Sequence, residues 1–148
     1  MTLAVSVAKR ASSDLLAALN RLLPQLSSSA PPLTSVALER LLSSEGVTLF
    51  VATDDDAVVG TLSLVTWATP TGVRAWIEDV VVDVAARGFG VGRALTEAAL
   101  LEASRRHART VDLTSRPSRS AANALYLSLG FALRETNVYR FLVETDDH

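Results

Sequence analysis

The sequence predicts a mixed α/β fold, in which an antiparallel meander leads into one β-α-β crossover. Three observations predict it. Strand-like runs at 47–53, 58–68 and 73–82 are separated by Asp54-Asp55-Asp56 and Pro70-Thr71-Gly72, and such short turns force antiparallel neighbours. The third run passes through the glycine-punctuated stretch Arg87-Gly88-Phe89-Gly90-Val91-Gly92 into helical spacing: Leu95, Ala98, Ala99, Leu101 and Glu102, as far as His107. Thr110–Thr114 then reads as a strand again, and a helix crossing between two strands makes them parallel.

The remaining elements follow local signals. Leu3–Val7 alternates as a first strand. Ser12-Ser13-Asp14 offers capping oxygens to a helix with Leu15, Leu16, Leu19, Leu22 and Leu23 at helical spacing, and Pro24 with the run Ser27 to Pro32 is expected to end it. Thr34 or Ser35 caps a second helix through Leu42, with Gly46 just beyond. Pro117-Ser118 opens a helix to Leu129, closed by Gly130. Phe131–Arg134 and Val138–Val143 read as two final strands before an acidic tail, Glu144 to His148. No repeat or linker interrupts the 148 residues, so one domain over 1–148 is expected.

Composition narrows the function classes. There is no cysteine, which removes disulfides, thiolate metal sites and a Cys nucleophile, and two separated histidines make no metal site. No signal peptide or spanning apolar run is present, so a cytoplasmic chain without a membrane partner is expected. A net charge of −2 argues against nucleic acid. The charge is uneven: seven arginines lie between 87 and 119, and eight acids between 39 and 83. This is either scattered surface charge or a basic half for an anionic ligand facing an acidic half for a cationic one.

The glycine stretch places backbone N–H groups at a helix N-terminus, a seat for phosphate. A P-loop would need Gly-Lys-Ser/Thr, where this chain has Gly92-Arg93-Ala94. A dinucleotide fingerprint counted from Gly88 meets Arg93 at its third glycine, and Asp112 sits inside its strand rather than at the carboxyl end. Arg87-Gly88-Phe89-Gly90-Val91-Gly92 instead resembles the Arg/Gln-x-x-Gly-x-Gly/Ala signature of the GCN5-related N-acetyltransferase (GNAT) superfamily. Ala122 to Phe131, with Leu125-Tyr126 and Gly130-Phe131, resembles its second signature. The resemblance runs from Leu3 to Val143, more weakly before Val47.

That resemblance implies a GNAT-like acyl-CoA acyltransferase fold of order β-α-α-β-β-β-α-β-α-β-β, with acetyl-CoA as cosubstrate and no metal. By position it assigns the pyrophosphate to Arg87, Gly88, Phe89, Gly90, Val91, Gly92 and Arg93, with arginines near 116–119 at the outer phosphates. Pantetheine falls to the strand edge at Val80, Val81 and Val82. Asn123 is read either as a pantetheine contact or as a cap of nearby backbone. The implied activity is direct transfer of acetyl to a primary amine of a small molecule or peptide. Tyr126 stands where the family places its general acid, and Glu78 where it places its base, often through water. Trp76, Glu78, Val80 and Val82 should share one strand face, and Ile77, Asp79, Val81 and Asp83 the other, unless a bulge intervenes, so only one carboxylate of the Glu78-Asp79 pair should enter a cleft. A backbone N–H near Val80 would serve the oxyanion. The alternative is a silent acyl-CoA sensor. Exposed sheet edges leave a homodimer open, and the acceptor is not legible.

Overall fold

The computed structural model describes residues 1–145, so Asp146, Asp147 and His148 of the expected acidic tail lie outside the described residues. The chain divides into two compact units, Met1–Thr114 and the residues from Ser115 onward. The first unit contains β1 (Leu3–Val7), α1 (Ser13–Leu26), α2 (Ser35–Ser43), β2 (Val47–Asp54), β3 (Ala57–Thr69), β4 (Gly72–Val82), a 3-10 turn (Val84–Ala86), α3 (Val91–Arg105) and β5 (Thr110–Asp112). Its sheet has the order β1-β2-β3-β4-β5, antiparallel throughout except for the parallel β4–β5 pair. The expected meander and crossover are both present.

Strand alternation divides the sheet into two faces. Leu49 and Val51 of β2 meet Leu15 and Leu19 of α1 and Leu38 of α2 in a buried cluster. Phe50 and Ala52 point the other way, as do their partners Leu62 and Gly60 on β3. There α3 crosses so closely that a Cβ at Gly60 would stand 2.9 Å from Val91 Cγ1 and 3.2 Å from Leu95 Cδ1. Both faces of the sheet are thus covered.

Several boundaries differ from the expectation. Pro24 lies inside α1, which runs on to Leu26. A proline so near the end removes only one late hydrogen bond, and the Ser27 N–H still reaches Leu23 O at 2.9 Å. The loop that follows is clasped by Asn20, whose amide donates to Leu33 O (3.0 Å) and accepts from Leu33 N–H (2.8 Å). The third helix stops at Arg105 rather than reaching His107, which takes a left-handed φ of 60°. β5 is shorter than expected because its ladder with β4 covers only Arg74–Trp76 against Thr110–Asp112.

In the second unit α4 spans Ser120–Ser128. It begins after Pro117-Ser118, which form part of a preceding turn closed by the Arg119 N–H on Arg116 O at 3.0 Å. Neither Phe131–Arg134 nor Val138–Val143 forms a strand ladder among the described residues, and Leu133, Val138, Tyr139 and Phe141 are exposed. The pattern of these segments favours extended backbone, but a strand exists only where a partner accepts its hydrogen bonds. Among the described residues, no helix is long and apolar enough to cross a membrane.

Candidate active site

The end of β4 is shaped by a bulge. Ser63 opposes Glu78 and Thr61 opposes Val81, so Leu62 alone faces both Asp79 and Val80. Asp79 absorbs the extra residue with a φ of 51°. The insertion corrects the simple alternation expected from sequence. Val81, not Val80, shares the Glu78 face and is buried, while Val82 opposes Gly60 on the α3 face. Both Glu78 and Asp79 are exposed. A bulge locally interrupts the ladder, here at Asp79 and Val80.

Glu78 is not loose. The indole Nε1–H of Trp76, two residues earlier on the same face, donates to its Oε1 at 2.7 Å. On the other side of β4, pairing with β5 ends at Trp76, so among the described residues no strand pairs with 77–82 along that edge. The expected free edge at Val80–Val82 is therefore present, created by the early end of β5.

Beyond it the chain makes the 3-10 turn and then the glycine loop. Gly88 and Gly90 have φ of 86° and 82°, a region costly for side-chain-bearing residues. A Cβ at either would meet nothing within 4 Å, so the loop is open where its amides lie. Gly90 caps α3 without a side-chain hydrogen bond. Val91 is buried against the sheet and presents only its backbone, whereas Phe89 is exposed. Thr96 Oγ1 donates to Gly92 O at 2.7 Å, which holds the first turn. Arg87 leans back toward Val82 O at 3.5 Å, and Arg93 pairs with Glu97 at 3.1 Å. The loop thus has two left-handed glycines and is flanked by Arg87 and Arg93.

In the second unit, α4 ends in a Schellman turn, with Phe131 N–H on Tyr126 O (3.0 Å) and Gly130 N–H on Leu127 O (3.1 Å). The turn brings Phe131 edge-on to the Tyr126 ring, centroids 5.6 Å apart, which gives the Tyr-x-x-x-Gly-Phe spacing a local structural reason. Burial pushes the Tyr126 phenol above its ordinary value, with the Arg119 charge acting in the opposite sense. Asn123 donates to Arg116 O at 3.1 Å and so caps the loop before α4.

The comparisons agree with this fold. Residues 15–131 match the acetyltransferase (GNAT) family. The chain belongs to that family. It is an acyltransferase, similar to a Trypanosoma brucei acetyltransferase structure at 30% identity and a TM-score of 0.78, covering 95% of this chain and 99% of that one. The same fold recurs in an aminoglycoside acetyltransferase from an uncultured soil metagenomic sample (20% identity, TM-score 0.85, 97% of each chain). It recurs in a ribosomal-protein-alanine N-acetyltransferase from Brucella melitensis (19% identity, TM-score 0.74, 94% and 99% covered). No curated protein matches the chain by sequence.

Two features of this acetyltransferase escaped the sequence reading. Trp76 holds a carboxylate through its indole N–H. Asp83 is capped and paired: the Arg21 guanidinium beside it, with help from the Ala85 N–H, holds its carboxyl below the usual carboxylate range. The i, i+2 spacing of Trp76 and Glu78 on one strand face was a readable signal. No local signal joined Arg21 to Asp83, 62 residues apart.

Proposed function

We propose that this acetyltransferase moves the acetyl group of acetyl-CoA directly to a primary amine of a small molecule or peptide. One observation carries the reading: among the described residues, a strand edge at 77–82 without a strand partner runs into an open glycine loop at the foot of α3, whose N-cap Gly90 has no side-chain hydrogen bond. The amides of Gly88, Phe89, Gly90, Val91 and Gly92, with the roughly half positive charge of the helix end, would hold the pyrophosphate. Arg87 and Arg93 would add charge-assisted bonds. The edge at Val80, Val81 and Val82 would take pantetheine, with Asn123 as a further contact. Acetyl-CoA supplies the activated acyl group.

The remaining work falls to the chain's own groups. Glu78, steadied by Trp76, accepts the proton of the attacking amine through a water. A backbone N–H of the bulge stabilises negative charge developing on the carbonyl oxygen. Tyr126 donates its phenolic proton to the departing thiolate, and a raised pKa keeps that proton in place at neutral pH. The structural neighbours named for aminoglycosides and for a ribosomal-protein alanine support an amine acceptor. The acidic stretch between 39 and 83 favours a cationic one.

Thiol release from acetyl-CoA, followed across neutral and cationic amines, tests the proposal. Release is expected with at least one amine, faster with cations, and acetyl-CoA should raise the Tm. Tight coenzyme A binding without release for any amine would overturn catalysis in favour of a sensor.

A further inference from the structure

We infer that Arg21 and Gln25 are positioning residues of the phosphate cradle, through which α1 sets the direction of the glycine loop. The inference rests on the reading of that loop as the coenzyme A seat.

The two side chains lie one turn apart on α1, beside the face that buries Leu15, Leu19 and Leu22. α1 packs on the Glu78 face of the sheet, yet both side chains reach past the strand ends to the turn before the cradle. The Arg21 guanidinium meets the Asp83 carboxylate and also donates to Val58 O at 2.6 Å. The Gln25 carbonyl oxygen accepts the Val84 N–H at 2.9 Å. Asp83 passes the constraint on: its Oδ1 accepts the Ala85 N–H at 3.2 Å, and its carbonyl accepts the Ala86 N–H at 2.8 Å. Its own N–H is held by Val59 O at 2.8 Å.

Residues 83–86 thus have each N–H engaged, three of them by acceptors on α1 or on Asp83, the residue paired to it. Side-chain packing does little of this work, because Val84 is 64% exposed and only Ala86 is buried. Arg87 follows directly, and the cradle amides begin one residue later. A half-exposed ion pair (Arg21 side chain 49% exposed) contributes little to global stability. Its position makes it effective on orientation instead: phosphate recognition by backbone amides requires several N–H vectors to converge, and the turn sets their common direction. The same bonds couple the helix on the Glu78 face to the donor side of the reaction.

The test is isothermal titration of coenzyme A into the wild-type chain and the variants Arg21→Met, Gln25→Met and Arg21→Lys, with Tm and amide hydrogen exchange over 84–92 measured on each. Arg21→Met and Gln25→Met should each raise the Kd by about three- to tenfold, the scale of one lost hydrogen bond. Exchange at 84–92 should quicken while Tm moves by less than about 2 °C, and Arg21→Lys should recover part of the affinity. Wild-type Kd in both Met variants would overturn the assignment and leave the seat intact. Should Arg21→Met lower Tm broadly, Gln25→Met at its exposed position decides alone. A wild-type chain that takes up no coenzyme A would overturn the seat, and the assignment with it.

Discussion

Gly90→Ala separates ligand recognition from folding, because the two effects of one methyl group differ in size. Gly90 has φ 82° and ψ 14°, and a left-handed conformation costs an alanine about 1–2 kcal/mol. Alanine also narrows the unfolded ensemble, which returns about 0.4–1 kcal/mol. Among the described residues no heavy atom lies within 4 Å of the new Cβ, so they add no steric cost. The net loss is about 1 kcal/mol, or roughly 2–4 °C in Tm for a chain of this size. On the proposed seating, however, the methyl would enter the space a phosphate fills. Losing one charge-assisted bond costs about 1.5–3 kcal/mol, roughly ten- to a hundredfold in Kd. Calorimetric titration with coenzyme A and thermal melts read both quantities. Gly60→Ala is the control with the opposite balance: its Cβ would stand 2.9 Å from Val91 Cγ1 and 3.1 Å from Val81 O, so Tm should fall with no methyl in the cradle. A Gly90→Ala chain that melts slightly lower yet binds coenzyme A as well as wild type would refute the cradle.

Three further outcomes are expected. Tyr126→Phe keeps the ring that meets Phe131 and removes only the hydroxyl, so kcat should fall about a hundredfold with coenzyme A affinity unchanged; loss of that affinity would make Tyr126 structural. Trp76→Phe removes the 2.7 Å bond to Glu78, and kcat/KM should drop about three- to tenfold, whereas an unchanged value would show that the carboxylate needs no anchor. Acid should weaken the Arg21–Asp83 tie. Because the folded pKa of Asp83 is depressed, its stabilisation is full above the unfolded value near 3.8 and is lost as pH falls through the lower folded one. Melts of wild type and Asp83→Asn should therefore differ at pH 6 and converge in strong acid, and a gap that persists to about pH 2 would count against the pair.

Local patterns carried much of the candidate site. The turns at Asp54–Asp56 and Pro70–Gly72, the helical spacing after Gly92 and the Gly130 terminator each depend on neighbours within a few residues, and each appears in the structure. The Gly88 and Gly90 positions were readable for the same reason, since a left-handed backbone selects glycine wherever it occurs. The Asp79 bulge was less legible. It depends on how β3 and β4 register, and a single inserted residue reverses which of Val80 and Val81 joins the Glu78 face.

The order of elements from β1 to α4, the left-handed glycines at the foot of α3 and the kinds of group available to carry protons were therefore determined by the sequence alone, through sterics and spacing within a few residues. Tertiary structure decided where β4 loses its partner, which face receives Glu78, and that Trp76, Arg21 and Gln25 hold the groups around the site. Those outcomes come from strand register and from contacts up to 62 residues apart, where many pairings are compatible with one local pattern and packing selects among them.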